Sequence, residues 1–436
     1  MSRNGQAPNE KLLENAVITR GTTPMIKIIY MFNLIKSLSI LQVFRFRNFR
    51  YYFAGKSVSL VGNWMQRTAL SWYIYSMTDS VFWFGLIAFI SQIPSFIVTP
   101  FGGFFADRFP RLRLMRICQF FVMLQALVLS LLVLTENASI MSIVILSFVL
   151  GCIEGFEAPI RLSFAVNVVD DKKYVGNAIA LNSVMFNGAR LIGPAVAGYM
   201  IAFLGEGYCF LVNGLCHIAV LIALFKIKIP ETAAKLRNSS VFGDIKEGVI
   251  YLYQNKKILF FIINLIIFTL FGFNYIVLMP VIARDVLFGD AKTLGFLMSV
   301  IGAGALTGGI ILGSRKSSTG LSKQIVNCGF FACIALGALA LSNQIYIAAF
   351  FVLICGFCMM MQMAGANIVI QTLVDDSMRG RVMSLYSIAF LGFMPIGSLI
   401  SGSLSDIFGV KYTLLASSIV LMVANLILRK RIIDTL

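Results

Sequence analysis

The sequence contains one long apolar stretch twice. Residues 176–205 and residues 380–409 align at an offset of 204 positions, with five glycines in register. An apolar repeat of about half the chain length is typical of membrane transporters built from two similar halves. The shared glycines also give each copy a flat helical face that a neighbouring helix can approach closely. The chain is therefore predicted to fold as two related, tightly packed bundles.

The composition places most of the chain in lipid. Hydrophobic residues make up 58% of the 436 residues and charged residues only 13%, and the mean hydropathy is +0.87. Soluble domains are much more polar. The apolar segments recur at about 20 residues, the length that crosses the core of a bilayer. We expect an all-α membrane protein with twelve transmembrane helices, six in each bundle.

The net charge of +17 reflects membrane topology and does not indicate nucleic-acid binding. About 30 of the 36 Lys and Arg residues lie in the N-terminal arm, in alternate loops and in the C-terminal tail. Positively charged loops stay on the cytoplasmic side, so both termini are predicted to be cytoplasmic. We expect a multi-pass protein of the inner (plasma) membrane, with the lipid bilayer around it and no nucleic-acid partner.

Charged stretches divide the chain into five predicted parts. These are a cytoplasmic arm (1–50), a first six-helix bundle (51–228), a cytoplasmic linker (229–257), a second six-helix bundle (258–428) and a cytoplasmic tail (429–436). Within the arm, residues 25–44 are apolar along one helical face, and Lys27 and Lys36 lie off it. This pattern predicts an amphipathic helix that lies in the membrane interface, and a true membrane span is the alternative.

Four motifs resemble one transporter superfamily. GGFFADRFPRLR, from Gly102 to Arg113, resembles the G-x-x-x-D-R-x-x-R loop signature of the major facilitator superfamily. GNWMQRTALSWYIYSMTDS, GARLIGPAVAG and RGRVMSLYSIAFLGFMPIGSLISG resemble the branch of bacterial exporters that includes enterobactin exporters and macrolide efflux proteins. The resemblance spans residues 45–428. It implies the major facilitator fold and transport by alternating access between the two bundles.

The resemblance also assigns a role to the loop motif. It implies a cytoplasmic gate between the two halves, formed by Gly103, Asp107, Arg108 and Arg111. The alternative is an ordinary solvated loop.

A second motif resembles the fifth-helix signature of antiporters. Its residues are Gly188, Arg190, Gly193, Pro194 and Gly198. Proline removes a backbone donor and kinks a helix, while the glycines allow close packing against the other half. The resemblance implies export, and a kink used only for packing is the alternative.

Charged residues inside the predicted spans are the main candidates for substrate and proton binding. Each costs roughly 2.5–3.5 kcal/mol near the bilayer centre. All of them lie in the first half, at Lys56, Arg67, Glu154, Glu157 and Arg190. Arg67 and Arg190 are predicted to be deep and without an acidic partner. They either hold an anionic group of the substrate or bond backbone carbonyls and polar neighbours.

Glu154 is the preferred proton carrier, because a carboxyl group in a half-desolvated cavity has its pKa moved towards the working range. The fourth span is predicted to end near residue 159, which places Glu154 close to the cytoplasmic side. A structural pairing of Glu154 with Lys56 is the alternative, and Glu157 is predicted to pair with Arg161.

Uncharged residues complete the predicted cavity. Polar candidates are Gln66, Asn274 and Gln362, and Met359 suits a bulky or variable ligand. His217, the only histidine, is interpreted as a packing residue, with a proton relay as the alternative.

The sequence carries no pattern of a soluble enzyme. It lacks the G-x-x-x-x-G-K-[ST] phosphate loop, and one histidine forms no plausible catalytic triad or metal cluster. We expect no enzymatic activity, no cofactor and no metal, with a proton gradient as the driving force.

The function predicted from the sequence is proton-coupled export of a small amphipathic molecule by a monomer. A siderophore-like anionic metabolite is favoured because of Arg67 and Arg190. The main alternative is a multidrug or macrolide-type efflux pump, in which the arginines are structural. Less favoured are an importer, a lysolipid flippase and a non-transporting membrane module that acts through the N-terminal arm.

Overall fold

The computed structural model describes residues 39–169, 171–228, 241–315 and 317–433, and every regular element within them is a helix. The all-α prediction is confirmed. Most of the predicted amphipathic helix of the arm lies outside the described residues. A short 3-10 helix, Ser39–Arg45, leads into the first long helix.

Six long helices form the first half of the molecule. They are α1 (Arg47–Thr78), α2 (Val81–Arg108), α3 (Arg111–Leu134), α4 (Ile140–Asn167), α5 (Val175–Leu204) and α6 (Glu206–Lys226). Helix α4 continues through Pro159 to Asn167, about two turns beyond the predicted end of its membrane span near residue 159. Its apolar part, Ile140–Arg161, agrees with that predicted span. A helix can run on past the hydrocarbon region because its polar end lies in water, where no hydropathy signal marks its end.

A linker helix and six further long helices follow. They are α7 (Val241–Gln254), α8 (Lys256–Val286), α9 (Ala291–Gly313), α10 (Leu321–Ala340), α11 (Ile345–Leu373), α12 (Arg379–Phe408) and α13 (Val410–Ile433). The linker helix α7 is docked onto the second half. Glu247 accepts from Arg381 at 3.0 Å, and the Tyr251 hydroxyl donates to Asp375 at 2.8 Å.

Two helices of the second half contain π-helical turns. In α8 these are Phe268–Gly272 and Ile282–Val286, and in α12 it is Ile388–Gly392. The rings of Phe273 and Phe390 lie 5.7 Å apart, so α8 and α12 touch close to their π-turns. Such turns commonly occur at functional sites and at bends.

Ten of the described helices are long and apolar enough to cross a membrane. Helices α1 and α5, with 32 and 30 residues, are as long but more polar. Both belong to the first half, where α1 carries Lys56 and Arg67 and α5 carries Arg190. The count of twelve spans therefore stays a prediction.

The two halves meet along two helix pairs, α5 with α9 and α12 with α2. Gly198 of α5 faces Gly295 of α9, and a Cβ on Gly198 would lie 2.8 Å from the carbonyl oxygen of Ala291. Gly402 of α12 faces Gly85 of α2, where the corresponding distance is 3.0 Å. Gly198 and Gly402 occupy the same position of the sequence repeat. The duplicated glycines thus allow the backbones of the two halves to touch.

Polar contacts join the halves at the end of the molecule where α1 ends and α2 begins, which we call the closed face. Arg284 of α8 pairs with Asp79 at 2.7 Å, and the Tyr75 hydroxyl donates to Asp285. Asp406 of α12 accepts from the Ser80 hydroxyl at 3.1 Å and from the backbone N–H of Val81, also at 3.1 Å. Val81 is the first residue of α2, so a carboxylate of the second half caps a helix of the first.

Candidate substrate site

Arg190 lies at the middle of α5, about 20 Å from either end at 1.5 Å per residue. Arg190 is 8% exposed, and its guanidinium donates to the Met359 sulfur of α11 at 3.2 Å. A Cβ on Gly302 of α9 would lie 2.8 Å from the Arg190 carbonyl oxygen. Arg190 is therefore enclosed by elements of both halves. Among the described residues it has no carboxylate within ion-pair distance.

Trp64 of α1 connects two arginines. The Arg190 guanidinium carbon lies 5.5 Å from the centre of the Trp64 ring, and that of Arg67 lies 5.8 Å from it. Both distances allow cation–π attraction. Gly193 makes this arrangement possible, because a Cβ there would lie 2.5 Å from the Trp64 Cβ. The result is an aromatic wall between a buried and a more exposed cation.

Arg67 and Glu154 form an ion pair beside this wall. Nη2 of Arg67 donates to both carboxylate oxygens of Glu154, at 2.9 and 2.8 Å. The side chain of Arg67 is 54% exposed and that of Glu154 32% exposed, so the pair borders open space. The prediction that Arg67 has no acidic partner is wrong. Because α4 extends to Asn167, Glu154 lies at mid-helix and reaches the depth of Arg67.

Lys56 pairs with Glu157, not with Glu154. The Lys56 Nζ lies 3.2 Å from a Glu157 oxygen, and both side chains are at least 96% buried. Arg161 approaches the same oxygen at 3.7 Å, as the sequence predicted. A buried carboxylate between two cations is a structural element of the first half, since none of the three reaches the Trp64 wall.

Two of the polar candidates from the sequence lie inside the first half, away from the arginines. Gln66 donates to Gln125 at 3.2 Å and accepts from Asn213 at 2.7 Å. His217 is fully buried, with ring nitrogens 2.8 Å from Gln119 and 3.0 Å from Asn63. These side chains bind their own bundle together, since their hydrogen bonds are made within it.

Two further polar candidates make their hydrogen bonds within the second half. Gln362 accepts from Asn264 and donates to the Ile325 carbonyl, both at 2.9 Å. Asn274 donates to the Leu270 carbonyl, and its amide group lies against Gly397. The structure therefore does not bring Asn274 or Gln362 together with Arg67 and Arg190.

The predicted gate residues lie at the far end of α2 and the start of α3. The side chain of Asp107 lies outside what the structure describes. Arg108 stacks on Phe104, with its guanidinium carbon 3.9 Å from the ring centre, and Arg111 donates to the Ala106 carbonyl at 3.4 Å. A Cβ on Gly103 would meet nothing within 4 Å. The gate role of these residues stays a prediction.

The fifth-helix motif combines contacts with both halves. Gly193 faces α1, whereas Gly198 and the Pro194 carbonyl face Gly295 of α9. Gly188 has open space around it. The motif thus positions Arg190 by letting α5 approach α1 and α9 closely on either side.

Tyr275 of α8 is a buried polar residue that the sequence did not indicate. It is 1% exposed, and its hydroxyl has no hydrogen-bond partner among the described residues.

Known transporters are similar to this chain along most of its length. The model of the transmembrane secretion effector family matches residues 38–435. The staphyloferrin A transporter of Staphylococcus aureus is 27% identical over 84% of this chain and 91% of its own length. Macrolide efflux protein A of Streptococcus pyogenes is 21% identical over 84% of this chain and 91% of its own.

Solved transporter structures share the fold. The nucleoside transporter NupG has a TM-score of 0.69 at 13% identity and covers 88% of this chain and 99% of its own. A bacterial homologue of the iron transporter ferroportin, in an inward-facing state, has a TM-score of 0.66 at 16% identity and covers 88% and 98%. The transporter fold predicted from the motifs is confirmed.

Proposed function

The chain belongs to the transmembrane secretion effector family of major facilitator transporters, and on that premise we propose that it exports a small amphipathic anion across the inner membrane. It is a transporter and not an enzyme. The observation that carries the proposal is Arg190, which is buried between the two halves and has no acidic partner among the residues that the structure describes. A buried cation is costly unless an anion neutralises it, and the substrate supplies that anion.

A siderophore-like carboxylate is the favoured substrate. The name of the Staphylococcus aureus relative points to siderophore transport. Trp64 adds a flat apolar surface beside Arg190, which suits a molecule with both an anionic and an apolar part. Carboxylates also bind arginine through paired hydrogen bonds that select for their planar shape.

The contacts between the halves support transport by alternating access. They are joined at the closed face by Arg284 with Asp79 and by Asp406 with the start of α2. If both termini are cytoplasmic, as the distribution of Lys and Arg predicts, the closed face is external and the site opens to the cytoplasm. In this state the protein would load its substrate from inside the cell.

The proton-motive force is the proposed source of energy, with Glu154 as the proton acceptor. Glu154 is partly exposed beside the site, and a proton on it would weaken its pairing with Arg67. Arg67 would then be free to hold a second anionic group of the substrate.

Deletion of the gene tests this proposal. Untargeted mass spectrometry would compare cells and culture supernatants of the wild type and the deletion strain in low and high iron. We expect one anionic metabolite to accumulate inside the cells and to be missing outside. Expressed in the deletion strain, the variant Arg379→Gln, which changes an exposed arginine at the start of α12, should restore export, whereas Arg190→Gln should not. Unchanged metabolites in both compartments would contradict the export proposal.

Efflux of a cationic drug is the second candidate, and the exposed carboxylate of Glu154 favours it. A cation would compete with Arg67 for that carboxylate. Resistance to added macrolides and dyes that depends on Glu154 but not on Arg190 would support this alternative.

A further inference from the structure

We propose that the α5–α9 seam, where Gly198 meets Gly295, binds an anionic phospholipid, with an acyl chain along α5 and the headgroup phosphate at Lys292 of α9. This seam is one of the two helix pairs that join the halves of the molecule. The lipid site lies on the outer surface of α5 and does not include Arg190. The inference therefore goes beyond the proposed export and does not depend on the substrate.

A groove for the acyl chain runs along α5 towards the closed face. It has a volume of about 400 Å³, which lies within the range of roughly 300–1,000 Å³ for small-molecule sites. Its lining side chains are apolar or aromatic and belong to Ala195, Val196, Tyr199, Met200, Phe203 and Leu204. The stretch from Ala195 to Leu204 covers about 14 Å of helix axis. An open apolar groove on a transmembrane helix suits an acyl chain, which binds by van der Waals packing.

Lys292 places a positive charge at the end of this groove. Its Nζ lies 4.7 Å from the centre of the ring of Phe203, one of the lining residues. Among the residues that the structure describes, no carboxylate lies within ion-pair distance of Lys292. Asp290, two positions away, accepts from the Thr293 N–H at 3.1 Å as the cap of α9. The ammonium group is therefore available to an anion at the end of the apolar groove.

The second seam between the halves, α12 with α2, shows that packing does not require this lysine. Both seams are built on a facing pair of glycines. Three residues before the glycine of the partner helix, α9 has Lys292 whereas α2 has Phe82. At the repeat position of Tyr199, α12 has Ser403. The cation and the tyrosine thus distinguish the α5–α9 seam, and a lipid with a charged headgroup gives the cation a role.

The depth of Lys292 fits a headgroup. It is the second residue of α9, a helix long and apolar enough to cross the membrane, so its ammonium lies where a span begins. Lysines at this depth extend towards the interface and attract anionic lipids. Phosphatidylglycerol carries a net negative charge and phosphatidylcholine carries none, so the two lipids are matched probes when their acyl chains are the same.

The experiment is a native mass spectrometry titration of the full-length protein, purified in detergent, with palmitoyl-oleoyl phosphatidylglycerol or palmitoyl-oleoyl phosphatidylcholine. The first phosphatidylglycerol should bind about fivefold more tightly than the first phosphatidylcholine, as expected for one lysine near a headgroup. Lys292→Gln should abolish this preference, and Lys292→Arg should keep it. Val196→Trp should fill the groove and weaken the binding of both lipids.

Lys411→Gln is the matched control. Lys411 is the second residue of α13 and is exposed at the closed face, just as Lys292 is the second residue of α9. This variant should bind both lipids like the wild type. Thermal unfolding of all variants separates a loss of binding from a loss of folding.

Four results would overturn the proposal. The first is a preserved preference for phosphatidylglycerol in Lys292→Gln, and the second is an equal loss of preference in Lys411→Gln. The third is unchanged lipid binding in Val196→Trp. The fourth is a wild-type dimer that Val196→Trp dissociates, which would assign the groove to a second copy of the chain. Because the titration measures no transport, each of these results leaves the proposed export standing.

Discussion

Asp406 offers a direct test of how the closed face is held together. It caps the first turn of α2 from the other half, through the Ser80 hydroxyl and the Val81 N–H. Ser80, the N-cap residue of α2, makes no capping bond with its own side chain. Asp406→Ala therefore removes the side-chain cap, and a lost cap costs about 1 kcal/mol. Separation of the halves breaks the same bonds, so this cost falls on the closed state alone.

A change of about 1 kcal/mol corresponds to roughly a fivefold shift between closed and open states at the closed face. Hydrogen–deuterium exchange of the protein in lipid nanodiscs measures this shift. Peptides covering residues 75–86 and 402–410 should exchange about fivefold faster in Asp406→Ala. The acceleration should appear on both sides of the contact, because opening exposes both halves together.

Asp290 is a matched control at the same face. It caps α9 by accepting from the Thr293 N–H at 3.1 Å, but both residues belong to the second half. Asp290→Ala should therefore loosen only the first turn of α9. Unchanged exchange in Asp406→Ala, or equal acceleration of residues 75–86 in Asp290→Ala, would refute the assignment of Asp406 as a cap between the halves.

Three further variants test other parts of the structure. Lys56→Met leaves the buried carboxylate of Glu157 without its lysine partner and should lower the free energy of unfolding by about 3 kcal/mol. The loss would be visible as a lower thermal unfolding temperature. Adding Glu157→Gln to it should recover most of the loss, and no recovery would contradict the pairing. Glu154→Gln leaves Arg67 positive and should tighten the binding of an aromatic carboxylate, 1-naphthoate, severalfold by Coulomb attraction, as measured by NMR titration of the purified protein. Weaker binding would argue against an anion site. Gly85→Ala places a Cβ 2.7 Å from a carbonyl oxygen of α12 and should speed exchange at the closed face, whereas Gly103→Ala, with open space around it, should not.

The architecture could be predicted from the sequence because it depends on patterns that repeat along the chain. The matched glycines at 198 and 402 reappear at two of the places where the halves touch. Close approach of two helix backbones requires a small residue, so a shared glycine register predicts shared contacts. The length of the apolar segments predicted the all-α membrane fold.

The pairing of the charged residues could not be predicted in the same way. Arg67 and Glu154 lie 87 positions apart, and their contact depends on where α1 and α4 begin and end. Hydropathy does not detect the polar end of α4, so Glu154 was assigned the wrong depth. An error of two turns displaces a side chain by about 11 Å, which is more than the length of an ion pair.

Which uncharged residues face the site depends on how each helix is rotated about its axis. Gln66 and Arg67 are neighbours in sequence, yet one bonds inside its bundle and the other borders the site. Successive residues on a helix point about 100° apart, and only the neighbouring helices decide which direction is the cavity. Tyr275 was missed for a related reason, since the absence of a partner for its hydroxyl is a property of its surroundings.

The ion pair between Arg67 and Glu154 has an electrical consequence. The pair is neutral, so the empty site has one net positive charge, that of Arg190. One bound carboxylate cancels this charge. In the proposed transport cycle, the empty form would move charge when the site changes its exposure from one side of the membrane to the other, and the loaded form would not. An interior-negative membrane potential favours the inward return of a positive charge by up to about 2.3 kcal/mol per 100 mV. The voltage would therefore reset the empty transporter after each release, in addition to any proton that Glu154 carries.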